Sequence, residues 1–123
     1  MISFSRADRV SGLIQEVLSE LLRKDIHDPR LQMATITNVK MSRDLKLARI
    51  YFSIYGDSSK AEAAAKGFES ARGFIKRSLA RKLSLRYMPD LIFFYDESFD
   101  YGSHIDELLK RVMTENGRDN QSN

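Results

Sequence analysis

From Val10 onward the apolar residues fall at Val10, Leu13, Ile14, Val17, Leu18, Leu21 and Leu22. This i, i+3, i+4, i+7 spacing belongs to a helix that buries one stripe. The helix should end near Lys24, because Pro29 biases Asp28 away from helical angles and opens a loop. Thr35 to Met41 is β-branched and roughly alternating, with a break in phase between Ile36 and Val39 that a bulge could absorb. After Ser42-Arg43-Asp44, the residues Ala48, Ile50, Phe52 and Ile54 alternate with Arg49, Tyr51, Ser53 and Tyr55. That is the period of a strand with one buried face. The two strands predict an antiparallel hairpin.

Gly56-Asp57-Ser58 interrupts the alternation, and Ser59 with Glu62 has the spacing of a capping box. A helical region follows from Lys60 to about Leu85. Gly73 lies inside it and costs about 1 kcal/mol relative to alanine, which predicts a bend or break, read as two helices meeting near Ala71-Arg72-Gly73. Pro89 closes the region. Leu91 to Tyr95 is then a third strand, whose continuous apolar character predicts cover on both faces or a central place. Ile105, Leu108, Leu109, Val112 and Met113 repeat the helical spacing behind Ser103. Asn116 to Asn123 is polar and has no apolar anchor, so a disordered tail is expected. The order α, β, β, α, α, β, α describes an α+β domain, a three-stranded sheet packed against helices, over residues 1–115 with a tail at 116–123.

The 123 residues include no cysteine, so disulfides, thiolate metal sites and a cysteine nucleophile are excluded. No apolar run reaches signal-peptide or bilayer length, and a cytoplasmic protein with no membrane partner is expected. The two histidines, His27 and His104, stand far apart without a serine or acidic motif at a useful spacing. Asp96-Glu97 closes a strand and Asp106-Glu107 falls in the first turn of a helix, where acids suit the dipole. With no glycine-rich phosphate loop and no metal signature, the expectation is a protein without catalysis, cofactor, metal or small-molecule substrate.

Charge changes the picture more. The net charge is only +3, but Arg72, Lys76, Arg77, Arg81, Lys82 and Arg86 lie in one stretch that contains no acid. Ile75, Leu79 and Leu83 recur through it as a buried stripe. At 100° per residue, Gly73, Lys76, Arg77, Ala80, Arg81 and Ser84 form one polar face, where small residues would let a nucleic-acid backbone approach. Solvated faces normally mix signs, and this one does not. It reads as a surface for RNA phosphates, with Arg43 and Lys46 of the hairpin turn as additional contacts. The competing reading is a protein-interaction adaptor, in which Tyr51 and Tyr55 meet a protein and the basic surface is incidental.

Ser70-Ala71-Arg72-Gly73-Phe74-Ile75-Lys76-Arg77, followed by Leu85-Arg86-Tyr87-Met88-Pro89-Asp90-Leu91-Ile92-Phe93-Phe94-Tyr95-Asp96, resembles the ribosome-binding factor A family. Arg6 to Val10, Asp28-Pro29-Arg30, Thr35 to Val39, and Asp44-Leu45 through Ser53 match as well, in one order along nearly the whole chain. The resemblance implies a KH-like fold of α-β-β-α-α-β order with an added C-terminal helix. In it an Ala-x-Gly kink, here Ala71-Arg72-Gly73, replaces the usual Gly-x-x-Gly loop. It also implies a ribosome assembly factor that binds the free small ribosomal subunit and its rRNA, assists late rRNA maturation, matters most in the cold, and leaves before translation. A monomer is expected.

Overall fold

The computed structural model describes residues 5–55 and 58–98. Helix α1 (Arg6–Lys24) begins a turn earlier than the apolar period implies. Polar groups fix that start. The Ser5 hydroxyl accepts from the Asp8 amide at 3.1 Å, and the Asp8 carboxylate accepts from the Ser5 amide at 3.1 Å. This reciprocal box satisfies two donors that no helical carbonyl can reach. Ala7, Val10, Ile14, Leu18 and Leu21 are buried along one side.

Strands β1 (Ala34–Met41) and β2 (Leu47–Ile54) pair antiparallel, and their register shifts between Ile36 and Asn38. The bulge thus sits where the sequence pattern changes phase. It lets Ile36, Val39 and Met41 all reach the core. In the connecting turn Leu45 has φ 61°, an uncommon conformation for a branched side chain. The Asp44 carboxylate holds that turn, accepting from the Ser42 hydroxyl at 2.6 Å and from the Lys46 amide at 3.1 Å.

Helix α2 (Ala61–Leu83) is one uninterrupted helix, so the two helices expected to meet at Ala71-Arg72-Gly73 are a single element. Packing explains the difference. Phe68 before the glycine and Ile75 and Leu79 after it are fully buried, and each such side chain contributes about 1.5–3 kcal/mol. Glycine's cost of about 1 kcal/mol is smaller than what a break would forfeit. The cap expected at Ser59 also falls one residue later. A 3-10 turn at Ser58–Lys60 puts Lys60 at the cap position without a side-chain cap bond, and Glu62 lies 4.0 Å from Lys66. Ser84 ends the helix in the left-handed conformation, φ 50°. Gly67 lets the Pro29–Leu31 turn press against α2, since a Cβ there would lie 3.1 Å from the Leu31 side chain.

Strand β3 (Asp90–Tyr95) pairs parallel with β2 in a sheet of order β1-β2-β3. The expectation of a central or doubly covered strand is therefore corrected: β2 is central and β3 is an edge. Leu91 is fully buried, whereas Ile92 and Phe94 are 38% and 40% exposed. The apolar run is continuous because β3 carries apolar side chains on its open face too. Phe68 joins helix to sheet, with its ring 4.9 Å from Phe93 and 4.8 Å from Phe52.

The α+β class, the hairpin and the three-stranded sheet stand as read from the sequence. The expected helix at Ile105 to Met113, the tail at 116–123, His104 and Asp106-Glu107 lie outside the described residues. Among those described, no helix is long and apolar enough to cross a membrane.

Candidate RNA interface

Helix α2 buries Ala64, Gly67, Phe68, Ile75, Ser78 and Leu79. Gly73, Arg77 and Arg81 therefore point away from the sheet, about half a turn round the helix. Arg77 and Arg81 are exposed, and neither forms an ion pair among the described residues. A Cβ built on Gly73 would lie 3.3 Å from Arg77 Nη1. The Arg77 guanidinium thus lies back over bare backbone one turn away. Within an unbroken helix, this is what the glycine at 73 provides.

The remaining cations of the helix are not equivalent to these two. Arg72 donates to Glu69 at 3.4 Å, and Lys76 donates to Asp90 at 3.2 Å across to β3. The stretch from Arg72 to Arg86 has no acid of its own, but residues just outside it supply two. In both pairs the carboxylate is the exposed partner, so each pair contributes little and a stronger anion can displace either carboxylate. Lys82 faces α1. There Glu20 is held below the usual carboxylate range by its hydrogen bond from Lys24, by the Lys24 charge and, more weakly, by Lys82.

Arg86 and Lys46 meet elsewhere. With Arg6, Asp44, Leu45, Leu85 and Tyr87 they line a cleft of about 640 Å³, where α2 ends and α1 begins. Tyr87 is 72% exposed, and the Arg86 guanidinium lies 5.4 Å from its ring centroid, a cation–π distance. Asp44 in the same wall stays ionised below its ordinary range, chiefly through the Ser42 hydroxyl and the Lys46 amide. Arg43 is exposed on the adjoining turn. Sequence reasoning missed Arg6 and Tyr87, because the cleft is assembled from three segments far apart in the chain. The nearness of Tyr87 to Arg86 was the one available signal.

The arrangement offers cations, an aromatic ring and bare backbone. Among the described residues no three of His, Cys, Asp and Glu stand close enough to hold a metal.

The sequence profile described as Ribosome-binding factor A matches residues 6–109. This chain belongs to the ribosome-binding factor A family. A ribosome-binding factor A of Desulfosudis oleivorans is 58% identical over 115 residues, 94% of this chain and 89% of that protein. One of Desulfatibacillum aliphaticivorans is 54% identical over 112 residues, 91% of each chain. The fold is also that of the family: the crystal structure of ribosome-binding factor A from Thermus thermophilus superposes with a TM-score of 0.65. It is 23% identical, covering 74% of this chain and 97% of that one. A homology model of a Thermus thermophilus ribosome-binding factor A, fitted into a cryo-electron microscopy map of a 30S–RbfA complex, superposes with a TM-score of 0.63. It is 24% identical, over 76% of this chain and 97% of that one.

Proposed function

We propose that this member of the family is a cytoplasmic assembly factor that binds the free small ribosomal subunit through its rRNA and assists late rRNA maturation. Arg77 and Arg81 meet phosphates directly. Arg72 and Lys76 exchange their carboxylate partners for phosphate, and Lys82, Arg86, Arg43 and Lys46 extend the contact around the C-terminal end of α2. The observation that carries this reading is the outer face of α2, where two arginines without an ion pair among the described residues accompany a glycine. Family membership and the 30S complex of a Thermus relative support the choice of ribosomal partner.

No chemical step is needed. A protein that binds one rRNA conformation more tightly than another shifts the equilibrium by that difference in affinity and no more. Residues 1–115 act as one KH-like RNA-binding domain and 116–123 as a tail outside it, and the protein works as a monomer.

Sedimenting a cell lysate and probing the fractions tests this directly. The protein is expected with free small subunits, and co-migration with translating ribosomes would contradict the assembly reading. The adaptor alternative predicts binding that hardly responds to salt, whereas phosphate contacts make binding fall steeply as salt rises.

A further inference from the structure

The sheet has two faces, and α1 and α2 cover one. On the other, the strand register sets out two rows. Lys40 lies opposite Arg49, which neighbours Ile92, and Asn38 lies opposite Tyr51, which neighbours Phe94. The Tyr51 and Phe94 rings are stacked, with centroids 5.4 Å apart and planes at 25°. Phe94 and Ile92 are exposed, on an edge strand. Above this row Thr37 Oγ1 donates to Asp96 Oδ2 at 2.6 Å, so the nearest acid is already engaged.

Two features of this face work against stability. Like charges directly opposite on antiparallel strands repel, and Lys40 and Arg49 stand so, with no carboxylate paired to either among the described residues. An aromatic and a β-branched side chain on an edge strand also leave apolar surface in water. An anion bridging the two cations and a flat apolar partner on the rings would offset both costs. One ligand supplies the two together: a single-stranded nucleic acid, whose bases stack on aromatic rings while its phosphates meet cations.

We infer that the open sheet face is a second RNA-binding site, taking unpaired bases on Tyr51 and Phe94 and their phosphates on Lys40 and Arg49. The inference rests on the proposed reading that the partner is RNA. It differs from that reading in the kind of RNA engaged. The outer face of α2 meets backbone regardless of pairing, whereas the sheet face requires bases that are free. Lys76 and Asp90 lie at the β3 edge between the two surfaces, so one strand leaving a helix could pass from the first to the second.

The test uses the full chain with a short labelled oligouridylate and with a duplex RNA of equal length, followed by fluorescence anisotropy across a salt series. Tyr51→Ala and Phe94→Ala should each weaken oligouridylate binding by about tenfold and leave duplex binding unchanged. Tyr51→Phe should retain it. Lys40→Gln with Arg49→Gln should lower the slope of log K against log[salt] for the single strand by roughly 0.7 for each phosphate no longer neutralised. Circular dichroism confirms that each variant is folded. Unchanged oligouridylate affinity in the folded aromatic variants overturns the inference. Should those variants also lose much thermal stability, the two rings serve packing and not bases, and the inference falls. A wild-type chain that binds small subunits but no oligouridylate refutes this site alone, and one that binds neither refutes the proposed function with it.

Discussion

Helices α1 and α2 lie on the same face of the same sheet, and their inner sides are interchangeable in kind. Leu18 and Leu21 of one and Phe68, Ile75 and Leu79 of the other are all buried. Their outer sides differ. α1 mixes signs along its length, with Asp8, Glu16 and Glu20 among Arg9, Arg23 and Lys24, and Lys24 pairs with Glu20 at 3.2 Å one turn away. The second half of α2 carries Lys76, Arg77, Arg81 and Lys82 with no acid between them. Core packing demands the same of both helices, so it cannot account for the difference. On the proposed reading, the outer composition of α2 reflects the RNA it meets.

The largest effect should come from attacking what the helices share. Phe68→Ala removes a fully buried ring that touches two strands and should cost about 3–5 kcal/mol in urea unfolding. A loss under about 1 kcal/mol would show that α2 is not held to the sheet through this ring.

A smaller change separates the structural and the binding role of Gly73. In an unbroken helix with only the far end of Arg77 nearby, Gly73→Ala should stabilise the fold by about 0.5–1 kcal/mol. The same substitution should weaken small-subunit binding, because the added methyl displaces the Arg77 guanidinium. Destabilisation instead would mean that the helix needs the glycine for its path.

The smallest effect concerns Asp96, away from both helices. Hydrogen bonds from Ser98 and then Thr37 hold its carboxyl below the usual carboxylate range. A depressed folded-state value contributes stability above the unfolded value of about 3.9, and that contribution fades as pH falls through the folded value. Asp96→Asn should therefore be less stable than the wild type at about pH 7, with the gap closing below about pH 4. A gap that persists at acid pH would point to packing, not charge. RNA binding by α2 should be indifferent to this change.

What the sequence made legible follows from which interactions are local. The stripe of α1, the hairpin and its bulge are periodic over a few residues, and each appears where the pattern places it. The first turn of α1 is missed because Ser5 and Asp8, not an apolar period, set it. The division into two helices expected at Gly73 fails because a local propensity of about 1 kcal/mol competes with burial on either side. The edge position of β3 depends on which strand the crossover returns to, and an unbroken apolar run cannot report that. At the candidate interface, Arg72 to Arg86 was legible as one basic stretch. Its division was not: Glu69 lies just outside the window, Asp90 reaches Lys76 only through the fold, and Arg86 and Lys46 turn toward a cleft shared with Arg6.

The central claim is that the outer face of α2, and not basic charge in general, binds RNA. A salt titration of binding to free small subunits tests it most directly, comparing Arg77→Ala with Arg81→Ala against a charge-matched pair on α1, Arg9→Ala with Arg23→Ala. All four residues are exposed, so both double variants should fold as the wild type by circular dichroism. The α2 pair should lose affinity and show a slope of log K against log[salt] reduced by roughly 0.7 to 0.9 for each phosphate no longer neutralised. The α1 pair should keep the wild-type slope. Equal losses in the two double variants, or an unchanged slope in the α2 pair, would contradict the account.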